Sequence, residues 1–360
     1  MKLSVKASIL KELVSRSIKG ASQNKLIPLT SFMAIQLKDG KLTLITTDAS
    51  NYLYVRQSDV AGKDFYVVVQ VEQFSKLIGK LTCETVTLEL KKSVLIVTGN
   101  GEYKIELPLD ENGELIKFPD PMEQEVEEGS DVSLVTVKTI LNSIKPSLAV
   151  TMEVPVYTRY YFGERVVGTD SYKMASLNKK VLGVDPVLIS QETMELLDVM
   201  TCETIQFHQN ESVIVFSSPD CIVYGHIMDG VQDYPIDAIN GLVDEQFESS
   251  CKLDRNALLS ILDRISLFVG QYDNKCITLT FTEDGINISS KASTGIEMIK
   301  YLESDNFKAF TCNVDIVVFT QQLKACSLDT VQLEYGNENT LKWIDSDITQ
   351  VMALFSEDTE

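Results

Sequence analysis

Apolar side chains recur along this chain in two alternating periods, and the alternation comes round three times. Leu10, Leu13, Val14 and Ile18 fall at helical spacing, as do Val137, Ile140, Leu141 and Ile144, and again Leu258, Ile261, Leu262 and Ile265. Each set marks one buried helix face. Ser8, Thr136 and Asp254 stand just upstream as expected N-caps. Segments alternating every second residue follow: 35–38 and 42–46, then 160–162 and 165–169, then 277–281 and 286–289. Turn residues separate them at Lys38-Asp39-Gly40, Gly163-Glu164 and Glu283-Asp284-Gly285. A second helix is expected over 71–80, 190–200 and 313–326. The first unit closes with a hairpin, 86–90 and 103–107, around Gly99-Asn100-Gly101.

The same register carries a repeated string. Thr82-Cys83-Glu84-Thr85-Val86 returns as Thr201-Cys202-Glu203-Thr204-Ile205 and, more loosely, as Ser327-Leu328-Asp329-Thr330-Val331. Val86 and Ile205 are 119 residues apart, Ile205 and Val331 126. A unit of about 120 residues is too long for a solenoid repeat and the right size for a domain with its own core. The chain therefore reads as three tandem α+β domains, 1–122, 123–248 and 249–360, each with two helices and an antiparallel sheet. Residues 118–131, acidic and proline-flanked, read as the first linker, and 241–249 as the second.

Charge changes this picture more than composition does. Net charge is −20, but residues 1–122 hold 16 Lys and Arg against 14 Asp and Glu. The counts are 7 against 21 for 123–248 and 9 against 17 for 249–360. Basic residues nevertheless recur on the predicted helices: Lys11, Arg16, Lys19, Lys76 and Lys80, then Lys138 and Lys145, then Arg255, Arg264 and Lys324. These are either ordinary solvated helix faces or a surface for phosphates, since only the facing surface matters to a polyanion. No run of apolar residues reaches membrane-spanning length and the first 20 residues carry no signal-peptide pattern, so a cytoplasmic protein without membrane contact is expected. Seven scattered cysteines without Cys-x-x-Cys read as reduced, mostly buried thiols.

Catalytic chemistry is hard to find. His208 and His226 lack partners at metal-ligand spacing, and no Gly-x-Ser-x-Gly, phosphate-cradling loop or His-Glu-x-x-His occurs. Glu127, Glu128 and Asp131 read as solvated. Asp48 and Asp170 end equivalent strands, where a turn role is simpler than a hydrolytic one. No enzyme, metal or cofactor is expected.

Several strings carry a family resemblance. Met1-Lys-Leu-Ser-Val before a helix, the segment from Leu26-Ile-Pro-Leu-Thr30 through Asp39-Gly-Lys-Leu-Thr-Leu-Ile-Thr-Thr-Asp48, Gly168-Thr-Asp-Ser-Tyr-Lys-Met-Ala175 and Asp254–Ser266 occur in the order found in the bacterial DNA polymerase sliding clamp, the β subunit of the replicase. The chain resembles that family along its whole length. The resemblance implies three tandem copies of a DNA-clamp domain in a head-to-tail dimeric ring, a homodimer encircling double-stranded DNA. It implies a processivity factor that tethers DNA polymerase, clamp loader and other proteins with clamp-binding motifs. The helix cations named above, with Lys25, would face phosphate; diffuse contacts of that kind hold no base register and permit sliding.

Further residues follow from the resemblance alone. The dimer seam would use Tyr103 and Ile105 against Leu267 and Phe268. A peptide-binding pocket would be walled by Val156, Thr169, Ser171, Tyr172, Lys173, Met174, Ile236, Met352 and Leu354. The sequence departs from the family at Ser171-Tyr172-Lys173-Met174, at Met152-Glu-Val-Pro155, where a basic-aromatic stretch is usual, and at its acidic end, Met352–Glu360. The alternative is a three-domain assembly protein that does not encircle DNA.

Overall fold

The computed structural model describes residues 2–24, 26–118, 127–270, 275–291 and 294–355. Those residues form an α+β fold of seven α-helices and four antiparallel sheets. The helices are α1 (Ala7–Ser17), α2 (Val71–Lys80), α3 (Leu134–Thr139), α4 (Gln191–Leu196), α5 (Ile236–Asp244), α6 (Arg255–Ser266) and α7 (Ile316–Lys324). The chain divides into two compact units, Met1–Val137 with Glu192–Ile227, and Lys138–Gln191 with Met228–Glu360.

In the first unit a four-stranded sheet runs Lys2–Lys6, Thr85–Lys91, Val94–Thr98, Glu102–Glu106. An eight-stranded sheet runs Phe65–Gln70, Phe32–Lys38, Lys41–Thr47, Tyr52–Gln57, Cys221–His226, Val213–Ser218, Thr204–Gln209, Glu127–Ser133. Its seam, Val55 opposite Cys221, joins strands from successive repeats. Leu10, Leu13 and Val14 of α1 are buried against Lys41–Thr47 and Tyr52–Gln57, and α1 also packs on α2, whose Phe74 and Ile78 are buried. Gly20 lets the chain after α1 approach this sheet, because a Cβ there would lie 2.5 Å from Thr46 Oγ1.

The second unit repeats the scheme. Nine strands run Val187–Ser190, Arg159–Phe162, Val166–Thr169, Lys173–Leu177, Ile348–Ala353, Thr340–Asp345, Thr330–Tyr335, Ser249–Asp254, Glu303–Asp305. Lys173 opposite Met352 is its seam. A four-stranded sheet runs Ile296–Lys300, Gly285–Ser290, Cys276–Phe281, Phe310–Asp315. Leu258, Ile261, Leu262 and Ile265 of α6 are all buried. Each contributes about 1.5–3 kcal/mol of transfer free energy, which holds a 12-residue helix that would be marginal alone. Phe281 stacks on Tyr335 at 4.0 Å, and Phe319 meets Trp343 edge-on.

Several expectations need correction. Asp254 caps α6, accepting from the Ala257 N–H, but Ser8 and Thr136 lie inside α1 and α3 rather than at their caps. Ile18 leaves the α1 stripe for a 3-10 turn and is exposed. The first helix of the middle repeat widens into a π-turn at Ile140–Ile144 and ends in a 3-10 turn at Lys145–Ser147, around Pro146. Part of the expected first linker, 119–126, lies outside the described residues; Glu127–Ser133 is a strand paired with Thr204–Gln209. The expected second linker overlaps α5 and runs into the strand Ser249–Asp254.

The repeated string has a physical cause. Asn100 Oδ1 accepts from the Thr82 and Cys83 N–H groups, and Asn100 Nδ2 donates to Thr82 Oγ1. Asp220 accepts from Thr201 Oγ1 and Cys202 Sγ, and Asp345 accepts from the N–H groups of Ser327 and Leu328 and from Ser327 Oγ. In each repeat a hairpin-turn side chain ties down the segment that follows a helix.

Candidate peptide, nucleic-acid and subunit surfaces

In the second unit the strand Val166–Thr169 turns sharply into Lys173–Leu177. Thr169 Oγ1 donates to the Lys173 carbonyl at 2.9 Å and accepts from the Ser171 N–H. Asp170 Oδ1 accepts from the N–H groups of Tyr172 and Lys173. Ser171 takes φ +83°, and Tyr172 projects into solvent, 73% exposed. The neighbouring strand, Ile348–Ala353, is tied to the turn by the Ala353 N–H, which donates to the Tyr172 carbonyl. Asp48 makes the same turn in the first unit: its Oδ1 accepts from Ser50 and Asn51, and Ala49 has φ +85°. The two aspartates are turn-forming groups.

Behind that turn lies an apolar cluster that includes Val156, Tyr161, Met174, Tyr234, Ile239 and Val351, with Ile236 against it. Tyr161 stacks on Tyr234 at 4.9 Å, and Tyr157 meets Tyr234 edge-on. Of the residues named for the pocket, Val156, Met174 and Ile236 share this cluster. Met352 and Leu354 do not join them. Neighbours on a strand point to opposite faces, so Val351 enters this cluster while Met352, with Leu354, packs into the one around Trp343. Thr169 is buried. Lys173 is also buried, its ammonium 3.5 Å from Asp170.

The helix cations separate into two groups. Arg16 donates to the Val199 carbonyl and pairs with Asp220 at 2.5 Å. Arg255 donates to the Cys326 carbonyl and pairs with Asp329, Arg264 grips Glu297 through two nitrogens, and Lys76 pairs with Glu72. Lys19, Lys80, Lys138 and Lys324 are exposed and Lys11 half-buried, without an ion pair among the described residues. Lys145 is also half-buried, and Lys25 lies outside the described residues. Between the end of α1 and the start of α2 opens a cavity of about 650 Å³, lined by Ile18, Lys19, Asn24, Gln70, Glu72 and Ser75.

Three of the four expected seam residues are at the surface: Tyr103 at 37%, Leu267 at 80% and Phe268 at 50%. Ile105 is 3% exposed and belongs to the interior of its own unit.

No family model matches the sequence. The chain is 19% identical over 338 residues to the β sliding clamp of Bacillus subtilis, covering 87% of each. A solved structure of the Bacillus subtilis DNA polymerase sliding clamp matches 99% of both chains with a TM-score of 0.84 at 17% identity. The DNA polymerase III beta chain of Streptococcus pneumoniae matches equally fully, with a TM-score of 0.87 at 16% identity. The fold is that of the β sliding clamp.

On the α5 side of the apolar cluster sequence reasoning named Ile236 but missed Tyr234 and Ile239. A signal was present in Tyr234-Pro235 opening an apolar-polar stretch at helical spacing, but Gly241 disguised it as linker. All seven cysteines are free thiols, five of them buried. Burial pushes Cys221, Cys251, Cys312 and Cys326 up to about 12. No helix among the described residues is long and apolar enough to cross a membrane.

Proposed function

We propose that the chain is a DNA polymerase processivity factor, a binding protein rather than an enzyme. Three clamp domains, 1–122, 123–248 and 249–360, pair head to tail with a second copy into a ring around duplex DNA in the cytoplasm. The exposed Lys19, Lys80, Lys138 and Lys324, with the half-buried Lys11, meet phosphate without reading bases. The cluster around Val156, Met174 and Ile236, with the Ser171-Tyr172 turn at its edge, receives short peptides from the polymerase, the clamp loader and other partners. The observation that carries this reading is full-length agreement with β sliding clamps, 99% of the chain at a TM-score of 0.84–0.87. A local match could reflect a shared motif, whereas this one spans every element.

Retention on DNA tests the reading. Protein placed on a closed circle by a clamp loader should survive moderate salt and be lost once the circle is cut. Its solution mass should be about twice the 40.2 kDa of the chain. Equal retention on linear and circular DNA would point to electrostatic binding instead.

One observation favours a second reading, a three-domain assembly protein that does not encircle DNA. Arg16, Arg255, Arg264 and Lys76 are each committed to a carboxylate of the same chain. A monomer that is never retained on circular DNA would favour it.

A further inference from the structure

The loop before the strand Arg159–Phe162 carries apolar side chains on the outside. Val150 is 97% exposed, Met152 65% and Val154 43%. The Ala149 N–H donates to the Tyr157 carbonyl at 2.9 Å, and the Tyr157 N–H donates to the Val154 carbonyl, so the loop is closed at its base and held in shape. It leads directly into Val156 and Tyr157, which pack in the apolar cluster around Tyr234. Three exposed apolar side chains on one short hydrogen-bonded loop make it a candidate contact surface.

Charge decides what that surface takes. Residues 149–177 and 228–244 hold seven carboxylates and three cations. All three cations are engaged: Arg159 with the Asp229 carbonyl, Arg165 with Asp244 and Lys173 with Asp170. Glu153 stands on the loop itself, and Glu153, Asp229, Asp233 and Asp237 are all exposed. Gly230 fixes part of the geometry: a Cβ there would lie 2.8 Å from Val156 Cγ1 and 3.6 Å from Asp233 Oδ2, so this carboxylate borders the apolar cluster. The Tyr161 hydroxyl is raised by burial and further by Asp237 and Glu164.

We propose that the loop 149–155 and its acidic rim extend the peptide pocket into a docking surface for a partner segment whose apolar anchors are flanked by lysine or arginine. The inference rests on reading the cluster as a partner pocket. The apolar part supplies affinity, and the rim supplies attraction and choice of partner.

The test uses the full chain and short labelled synthetic peptides with identical Leu and Phe anchors, flanked by Lys and Arg, by Ser, or by Asp and Glu. At low salt the basic peptide should bind about tenfold tighter than the acidic one, and the gap should close as ionic strength rises. In the E153Q, D229N, D233N variant the preference should vanish while the Ser-flanked peptide keeps its affinity. In the V150S, M152S variant all three peptides should weaken, with the fold checked by its melting curve. Equal binding of the basic and acidic peptides would overturn the basic partner and leave the pocket standing. Binding of none would overturn the pocket, and this inference with it. Self-association lost in V150S, M152S, with peptide binding unchanged, would make a second copy the occupant and overturn the proposal.

Discussion

Asp220 gathers donors from widely separated stretches of chain: Arg16 on α1, Thr201 and Cys202 after the turn that follows α4, and Ser218 in its own hairpin. Burial pushes its carboxyl up, but hydrogen bonds from Thr201, Ser218, Cys202 and Arg16 outweigh it and bring the value from 3.8 down to about 2. A carboxylate depressed in this way contributes stability above its unfolded value and loses it as pH falls through the folded one. The shift corresponds to about 2 kcal/mol, present at neutral pH and lost between about pH 4 and pH 2. Asp220→Asn should therefore lower unfolding free energy by about 2 kcal/mol at neutral pH and flatten the acid limb of the stability profile, read by urea titrations across that range. An equal loss at both ends would show that packing rather than charge is responsible. The same residues show what the sequence could not disclose. Arg16 falls on the polar side of a clear helical stripe, yet its partner lies 204 positions away. Periodicity tells which residues leave the core, whereas the choice between solvent, phosphate and a remote carboxylate is made by tertiary pairing. Arg255 and Arg264, with Asp329 and Glu297, repeat the lesson.

Among elements, the Thr-Asp turns at Thr47–Asn51 and Thr169–Lys173 are the most informative. Each bends one strand into the next with a threonine hydroxyl, an aspartate carboxylate and a residue in the left-handed region, Ala49 at φ +85° and Ser171 at φ +83°. A side chain there costs about 1–2 kcal/mol, while glycine carries an unfolded-state entropy penalty of about 0.5–1 kcal/mol. Ala49→Gly and Ser171→Gly should each raise stability by up to about 1 kcal/mol, measured by chemical unfolding. A clear loss in both would mean the turns take another backbone path in solution. These turns were legible because chemistry and position recur together in two repeats. Long amphipathic helices such as α1, α2 and α6 were legible for the same reason, since one buried face fixes a period. α5 was not, because a short helix containing Gly241 has little period to show. Glu127–Ser133 escaped as well: its acidic sequence lacks an apolar alternation, and its strand character comes from pairing with Thr204–Gln209. Of the residues named for the candidate pocket, Val156, Met174 and Ile236 share one apolar cluster, while Met352 turns to the other face because strand alternation, not proximity in sequence, sets its direction.

For the whole molecule, the two four-stranded sheets each end in a strand paired on one side only among the described residues. Glu102–Glu106 pairs with Val94–Thr98, and Ile296–Lys300 pairs with Gly285–Ser290. Around these edges Tyr103 and Leu109 in one unit, and Leu267, Phe268, Ile296, Met298 and Leu302 in the other, are exposed. A free edge beside apolar side chains is a template for another chain. Two unlike edges on one chain give a heterologous contact, and such a contact ends growth when the assembly closes, after two copies in the ring proposed here. Leu267→Ala with Phe268→Ala should therefore yield a folded monomer, since losing interface anchors costs about 2 kcal/mol or more each. Ile105→Ala should behave differently. Ile105 is interior already, so its loss should cost about 2–5 kcal/mol of folding stability and leave subunit affinity little changed. Sedimentation velocity across a dilution series, paired with urea unfolding, separates the two effects. A Leu267, Phe268 double variant that remains dimeric at nanomolar concentration would remove these residues from the seam, and an Ile105 variant that dissociates without losing stability would put the buried isoleucine back into it.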